Sequence, residues 1–184
     1  IREVTSDGEI RFSTGKGELD RVLGGGAVAG SLVLVGGAPG IGKSTLLLQI
    51  CNSLCAGRKV LYISGEESER QLKLRAERLG VNPEDLYILS ETRLSDVVEA
   101  AEALQPDILI VDEILAVGDY KFRKKCEQRM SEMLSGGTTL LYVSHSIDEV
   151  KRLCDHALWI DKGVARMQGE ALTVCDAYMA EMKK

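Results

Sequence analysis

Short apolar runs alternate along the chain with longer segments in which apolar residues recur every three or four positions. The short runs are typical of buried strands, and the longer spacing is typical of amphipathic helices. Seven strands are predicted, at residues 31–35, 59–64, 86–89, 107–113, 138–143, 157–160 and 164–167. Helices are predicted at 43–56, at 68–80, from 95 onward, at 122–134, from 146 onward and at the C-terminal end.

The order of these elements predicts the fold class. Strand and helix alternate, and the early strands are continuous apolar runs, as in a parallel sheet that is covered on both faces. The last two strands are predicted to form a hairpin that turns at Lys162 and Gly163. We therefore expect an α/β protein with three layers, α/β/α, a mainly parallel sheet and one domain over residues 1–184. Ligands of such sheets bind beyond the carboxyl ends of the strands.

A glycine-rich segment between the first predicted strand and the helix at 43–56 matches the phosphate-binding pattern G-x-x-x-x-G-K-[ST] at every fixed position. Glycines let backbone N–H groups approach phosphate oxygens, and the N-terminus of the next helix adds its positive dipole end. We expect the segment to bind ATP or ADP, with Lys43 reaching the β- and γ-phosphates of ATP and the Ser44 hydroxyl ligating Mg²⁺. A chance glycine-rich turn is the alternative, and the flanking strand and helix argue against it. The predicted nucleotide-binding residues are Gly37, Ala38, Pro39, Gly40, Ile41, Gly42, Lys43, Ser44 and Thr45.

Four further polar side chains lie at the ends of predicted strands, namely Glu66, Asp112, Glu113 and His145. Four apolar residues followed by Asp-Glu are typical of a Walker B element, whose aspartate holds Mg²⁺ through water. Because all four residues fall at the edge where ligands bind, they complete the candidate site. The predicted metal-binding residues are Ser44 and Asp112.

Composition narrows the classes of function. The chain has 184 residues and a net charge of −5, so a broad nucleic-acid-binding face is not expected, and the basic run at 121–125 is interpreted as a solvated helix face. No apolar run approaches 18 residues and no signal peptide is recognised, so we expect a soluble cytoplasmic protein without membrane insertion. The five cysteines include no C-x-x-C pair and are interpreted as small buried residues in a reducing cytosol.

Residues 12–107 contain a series of specific motifs. They are S-T-G at 13–15, E-L-D-R-V-L-G-G-G at 18–26, G-G-A-P-G-I-G-K-S-T at 36–45, L-Y-I-S-G-E-E-S at 61–68 and L-R-A-E-R-L-G at 74–80. With these motifs the segment resembles the bacterial RadA/Sms DNA-repair ATPases of the RecA superfamily. The resemblance implies that Glu66 is the catalytic glutamate that polarises the attacking water.

The rest of the chain has different motifs. They are D-E-I-L-A-V-G-D at 112–119, V-S-H-S at 143–146, V-K-R-L-C-D at 150–155 and D-A-Y at 176–178. This part resembles the ATP-binding subunits of ABC exporters of O-antigen or teichoic-acid polysaccharides. The resemblance implies Glu113 as an alternative catalytic glutamate and His145 as the switch histidine that senses the γ-phosphate. L-S-G-G at 134–137 spells part of the ABC signature but lies downstream of Asp112, so it is interpreted as a helix stop and loop.

The two resemblances meet in the strand predicted at 107–113, an element that both families share. We infer an engineered chimera of two phosphate-loop ATPases, with a natural divergent protein as the alternative. The RecA-like pattern implies one continuous sheet in the order 3-2-4-5-1-6, counted over the seven predicted strands, with strand 7 antiparallel at the edge.

The expected function is Mg²⁺-dependent ATP binding with weak or no hydrolysis, by a monomer or weak homo-oligomer. The alternatives are a competent ATPase of RecA or ABC type, in DNA repair or polysaccharide export, and a structural chimera that binds nucleotide poorly. Glu113 is favoured over Glu66 as the catalytic residue, and His145 is the third candidate. Nucleic acid is not an expected partner, and Phe12 is the nearby candidate for an adenine contact.

Overall fold

The computed structural model describes residues 10–36, 40–112, 128–129, 132–144, 147–154, 156–161 and 164–182. Within these ranges the strands are β1 (Arg11–Phe12), β2 (Ala27–Val28), β3 (Leu32–Gly36), β4 (Val60–Ser64), β5 (Leu86–Ser90), β6 (Ile108–Asp112), β7 (Thr139–Ser144), β8 (His156–Asp161) and β9 (Val164–Glu170). The helices are α1 (Gly17–Val22), α2 (Lys43–Leu54), α3 (Glu69–Leu79), α4 (Leu94–Leu104), α5 (Ile147–Leu153) and α6 (Ala171–Met182), and residues 132–135 are also helical.

The central sheet has five parallel strands in the order β5-β4-β6-β7-β3. Counted over the predicted strands this is 3-2-4-5-1, so these five positions of the predicted order are confirmed. β4 and β6 are buried along their whole length, as expected for continuous apolar runs inside a two-sided sheet. β6 pairs in regular register with both β4 and β7, so the segments before and after residue 110 form one continuous sheet.

The C-terminal hairpin does not take its predicted place. β8 and β9 pair antiparallel as a separate two-stranded sheet, whereas residues 157–160 were expected beside β3. An antiparallel hairpin satisfies its own backbone hydrogen bonds locally, and here α6 covers it. The Trp159 and Tyr178 rings meet edge to face with centroids 5.6 Å apart. This local packing provides the hairpin with contacts that do not depend on the edge of the central sheet.

Two hydrophobic layers lie on opposite faces of the sheet. On one face, α2 and α3 pack through buried residues such as Leu47, Ile50 and Leu72 against Tyr62 and Ile110. On the other face, the sheet packs against α4 and the helical residues 132–135, in a cluster that includes Ile63, Val97, Ala101, Val111 and Met133. The three-layer α/β/α prediction is therefore confirmed. The predicted capping box at Ser68 and Gln71, which opens α3, is also present.

The N-terminal segment forms elements that the hydrophobic pattern did not predict. β1 and β2 pair antiparallel and α1 lies between them. Asp20 ties this segment together, because its carboxylate accepts hydrogen bonds from the Ser13 hydroxyl (2.6 Å), the Thr14 hydroxyl (2.6 Å) and the Thr14 backbone N–H (2.7 Å). These elements are too short to show a hydrophobic period in the sequence.

Candidate functional site

The carboxyl ends of the parallel strands lie side by side at one edge of the sheet. Gly36 of β3 is the registered partner of Ser144, and Asp112 of β6 is the partner of both Val143 and Ser64. The segment that contains the phosphate-binding motif leaves this edge directly after Gly36. The fold therefore brings the motif and the Walker B strand to the same edge, as the strand-end positions predicted.

Part of the phosphate-binding loop lies within the described residues. Gly40 and Gly42 have φ angles of 75° and 101°, in the left-handed region that favours glycine. Ile41 between them is 69% exposed. Gly42 is the N-cap of α2 and provides no side chain that could cap the first N–H groups of that helix. Such an end is suited to an anion, because its N–H groups and the helix dipole both favour negative charge. Gly37, Ala38 and Pro39 lie outside the described residues.

The three predicted polar residues after the loop open α2. The helix begins at Lys43, and the Leu46 N–H donates to the Gly42 carbonyl over 2.9 Å. Lys43 is 7% exposed, so this lysine lies within the protein at the loop. Ser44 and Thr45 are half-buried on the first turn. The loop, its lysine and its hydroxyl residues therefore occupy the beginning of one helix, as the motif predicts.

Asp112 is the most deeply buried acid of the site, at 2% exposure. It follows Ile108 and Ile110 in the alternation of β6, and both of these face the α2 layer. Asp112 Oδ2 accepts a hydrogen bond of 2.5 Å from the Tyr62 hydroxyl. Asp112 Oδ1 is also buried, yet it has no hydrogen-bond partner among the described residues.

A buried carboxylate oxygen without a partner is costly, and an ordered water or ion is the usual explanation. Carboxylate oxygens and hydroxyls are the ligands that Mg²⁺ takes in phosphate sites, usually together with several waters. Asp112 lies on the face of the sheet that α2 covers, at the edge from which the loop departs. The residues present therefore fit a hydrated Mg²⁺ beside a nucleotide phosphate.

Tyr62 is a buried residue beside Asp112 that the sequence reasoning missed. It is fully buried, and burial raises the pKa of its phenol well above the ordinary value, with the Asp112 charge and hydrogen bond acting in the same direction. The hydroxyl therefore stays protonated and acts as the donor. The period of two along β4 puts Tyr62 on the same face as Ser64, the registered partner of Asp112. This position on the same strand face as Ser64 was the signal in the sequence from which Tyr62 could have been identified.

Glu66 lies just beyond the strand that neighbours β6. The Gly65 N–H donates to the Asp112 carbonyl over 2.9 Å, which holds the start of this turn against the end of β6. Glu66 is exposed, whereas Glu67 forms a 2.5 Å ion pair with Arg75. Glu66 therefore lies exposed at the edge of the site.

The other two predicted catalytic residues, Glu113 and His145, lie outside the described residues. Each directly follows a described strand end, Asp112 in one case and Ser144 in the other. Their assignment stays a prediction.

Phe12 is not placed to contact a base at this site. Its ring is 6% exposed and belongs to the core cluster under α2. The Arg58 guanidinium covers it, 4.5 Å from the ring centroid. Arg58 follows the C-terminal end of α2, and a helix of 12 residues is roughly 18 Å long. The expectation of an adenine contact was wrong because the chain brings Phe12 to the end of α2 opposite the phosphate loop.

The segment at 134–137 forms a helix end and turn, as predicted. The Gly136 N–H donates to the Glu132 carbonyl, and Gly137 has a φ of 99°. The next residues lead into the amino end of β7, where the Thr139 N–H donates to the Asp107 carbonyl. This is the edge of the sheet opposite Asp112, so the L-S-G-G segment does not face the candidate site.

The cysteines support no metal centre in the described part of the chain. Cys51, Cys55 and Cys175 are buried as predicted, whereas Cys154 is only half-buried, and Cys126 lies outside the described residues. Burial raises the pKa of the Cys55 thiol to about 11, with the Asp85 charge adding to the effect. Among the described residues no three His, Cys, Asp or Glu side chains cluster in a way that could hold a metal ion. Within the same residues, no helix has the length and apolar character needed to span a membrane.

Comparison with known proteins agrees with this geometry, and one of the alignments covers most of the chain. Residues 12–109 match the family model described as "ATPase: KaiC". The chain is 54% identical over 118 residues to the DNA repair protein RadA of Listeria monocytogenes, an alignment that covers 64% of the chain and 26% of that relative. It is 53% identical over 117 residues to RadA of Streptococcus pneumoniae, covering 64% and 28%. It is 37% identical over 159 residues to RadA of Pseudomonas aeruginosa, covering 81% and 35%.

A parallel sheet with a phosphate-binding loop before α2 and a buried aspartate at the end of β6 defines the class of P-loop ATPase folds. The family model spans more than half of the 184 residues, so the chain belongs to the KaiC-type ATPase family. The chain spans about a quarter to a third of the length of the curated relatives reported above.

Proposed function

We propose that this domain binds ATP and ADP in a Mg²⁺-dependent manner. The observation that supports the proposal most directly is the buried Asp112 Oδ1, which has no partner among the described residues and lies at the strand edge from which the phosphate loop departs. Membership in an ATPase family supports the same conclusion. Lys43 and the first turn of α2 would hold the phosphates, and Ser44 with Asp112 would hold the cation. A bound Mg²⁺ would neutralise phosphate charge.

Isothermal titration calorimetry with ATP and ADP, each with Mg²⁺ and with EDTA, tests this proposal. We expect saturable binding of one nucleotide per chain that is stronger with Mg²⁺. Absence of binding under all four conditions would contradict the proposal and favour the alternative, a domain whose site holds nucleotide poorly. A thermal-shift measurement on the same samples is an independent check, because a ligand that binds only the native state stabilises it.

Hydrolysis is proposed to be weak or absent. Both ATPase classes that the sequence resembles complete their sites with groups from a neighbouring subunit, and we propose that this chain is a monomer or weak homo-oligomer. Glu113, Glu66 and His145 are the proposed catalytic residues, with Glu113 favoured. A steady-state phosphate-release assay over a range of protein concentrations decides the point. Turnover of 1 s⁻¹ or more, at the low end of ordinary enzymes at roughly 1–10³ s⁻¹, would establish a competent ATPase instead.

A role connected with DNA is the second candidate function, because several relatives are named as DNA repair proteins. Because of these names, the expectation that nucleic acid is not a partner is no longer supported. The test is a titration of fluorescent single- and double-stranded oligonucleotides at several salt concentrations. Phosphate contacts would give affinity that falls steeply with salt, whereas the net charge of −5 favours no measurable binding.

We further propose that residues 1–107 and 108–184 derive from RadA-like and ABC-like parents and form one folding unit. The family model ends at residue 109, inside the strand where the two resemblances meet, whereas the alignment with RadA of Pseudomonas aeruginosa covers 81% of the chain and extends beyond that strand. β7 lies between β3 and β6, so neither part contains a complete sheet. A single cooperative unfolding transition is expected by both calorimetry and circular dichroism. If the second part acts like an ABC subunit, His145→Ala lowers the affinity for Mg-ATP more than that for Mg-ADP.

A further inference from the structure

The pair formed by Tyr62 and Asp112 is a buried side-chain hydrogen bond at the site that the phosphate-loop motifs do not require. Tyr62 is fully buried and Asp112 is 2% exposed, and the two oxygens are 2.5 Å apart. Tyr62 is also part of the core cluster that includes Leu47 and Cys51 of α2. Its ring therefore packs beneath the helix that contains Lys43, while its hydroxyl contacts the proposed metal-binding carboxylate.

We propose that Tyr62 is a positioning residue for the cation: its hydroxyl holds Asp112 in the orientation that leaves Oδ1 available to Mg²⁺. This inference rests on the proposed nucleotide-binding function and adds to it a residue that acts through Asp112 rather than by touching the nucleotide.

The two oxygens of the Asp112 carboxylate have different environments, and this difference supports the assignment. Oδ2 is occupied by the phenol, whereas Oδ1 is buried without a partner among the described residues. A carboxylate that accepts one fixed hydrogen bond has fewer orientations available, and less rotational freedom is lost when a hydrated cation binds. Partners of metal-ligating carboxylates act in this way, and removing them weakens metal binding by roughly 10- to 100-fold.

A purely structural role for Tyr62 would need only its ring. Phenylalanine fills the same volume in the cluster with Leu47 and Cys51, but it leaves Oδ2 without its donor. Tyr62→Phe therefore separates packing from positioning. A packing defect would lower nucleotide affinity whether or not a metal is present, whereas a positioning defect weakens only the metal-dependent part.

The experiment measures ADP affinity by calorimetry for the wild-type chain and Tyr62→Phe, with saturating Mg²⁺ and with EDTA. It also follows Mn²⁺ binding to the ADP-bound protein by electron paramagnetic resonance. We expect Tyr62→Phe to weaken Mn²⁺ binding about tenfold and to leave ADP affinity in EDTA within about twofold of wild type. Tyr87→Phe, which removes an exposed hydroxyl from the neighbouring strand, is the matched control and should change neither value.

A double-mutant cycle with Asp112→Ala tests whether Tyr62 influences metal binding through Asp112. If Tyr62 acts through Asp112, Tyr62→Phe has no further effect on Mg²⁺-dependent binding in the Asp112→Ala background. Two results for Tyr62→Phe would overturn the inference while leaving the proposed function in place. One is a loss of ADP affinity that is equal with Mg²⁺ and with EDTA, and the other is unchanged Mn²⁺ binding. A wild-type chain whose ADP binding is absent or indifferent to Mg²⁺ would overturn both, since Tyr62 would then have no metal-binding carboxylate to position. Far-ultraviolet circular dichroism confirms that each variant is folded.

Discussion

Ser64 on β4 is the registered neighbour of Asp112 on β6, so the ends of these two strands are level at the edge of the sheet. The Gly65 N–H continues the pairing by donating to the Asp112 carbonyl over 2.9 Å. Glu66, the next residue, therefore starts from a backbone position fixed relative to the Walker B strand. Glu66 therefore lies close to the edge of the sheet at which Asp112 ends β6.

The first prediction compares the two candidate glutamates. Phosphoryl transfer needs a positioned water and neutralised charge, and a misplacement of about 1 Å can cost on the order of 100-fold in rate. Glu113 directly follows Asp112 in the sequence, so we expect Glu113→Gln to reduce phosphate release more than Glu66→Gln does. Both variants must retain ATP binding for the comparison to hold. Loss of turnover in Glu66→Gln alone would assign the chemistry to the RadA-like part.

The second prediction concerns Lys43. With nucleotide at about 100 times its dissociation constant, the native state gains about 2.7 kcal/mol, which for a domain of this size corresponds to a rise in Tm of roughly 5–10 °C. We expect Lys43→Ala to remove most of this rise, because Lys43 is the proposed cation of the phosphate loop and is buried at the start of α2. Lys73→Ala, at an exposed position of α3, is the matched control and should keep the full shift. The measurement is differential scanning fluorimetry with and without Mg-ATP, and an unchanged shift in Lys43→Ala would place the nucleotide elsewhere.

The third prediction uses two adjacent glycines that both have positive φ, 108° at Gly25 and 131° at Gly26. A Cβ at Gly26 would lie 2.5 Å from the Phe12 carbonyl oxygen, whereas a Cβ at Gly25 would meet nothing within 4 Å. Both alanine variants bear backbone strain, but only Gly26→Ala must also displace backbone of β1. We expect Gly26→Ala to be less stable than Gly25→Ala by about 1–3 kcal/mol, by analogy with overpacking of a core.

Chemical denaturation of the two glycine variants measures this difference. Equal stability would show that the N-terminal β1–β2 pair contributes little to the folded state.

The fourth prediction concerns the pH dependence of the N-terminal segment. Burial alone raises the pKa of Asp20, but the hydrogen bonds from Ser13 and Thr14 outweigh it and leave the pKa below its usual value. A carboxyl whose pKa is lowered by folding stabilises the protein at pH values above the unfolded pKa, and this contribution is lost as the pH falls through the folded pKa. Asp20→Asn should therefore lower the free energy of unfolding by about 1–2 kcal/mol at pH 7 and by less near pH 3.

Urea denaturation at pH 7 and pH 3 tests the Asp20 prediction. Glu18→Gln removes an exposed acid from the same helix and is the control, since exposed ion pairs such as Glu18–Arg21 contribute little. If Asp20→Asn lowers the free energy of unfolding as much at pH 3 as at pH 7, the stabilisation does not come from the ionised carboxylate.

The sequence by itself determined the central sheet and the start of the site. The apolar runs of β3 to β7 are long enough to identify strands, and the glycines, Lys43 and Ser44 form a pattern whose chemistry depends on local spacing. Asp112 could be assigned because a buried strand that ends in an acid implies its position at a sheet edge. These features, together with the capping box of α3, depend on residues that are close together in the sequence, so the sequence alone could predict them.

Only the tertiary structure decided the contacts between residues that are distant in sequence. Tyr62 and Asp112 are 50 positions apart, and their hydrogen bond depends on the pairing of β4 with β6. Phe12 has the aromatic character of a base contact, yet pairing of β1 with β2 and packing against α2 bring it under Arg58. β8 and β9 pair with each other and pack against α6. Their antiparallel pairing forms backbone hydrogen bonds locally, and Trp159 contacts Tyr178. A one-dimensional pattern states which faces are apolar, and long-range packing selects the partner of each face.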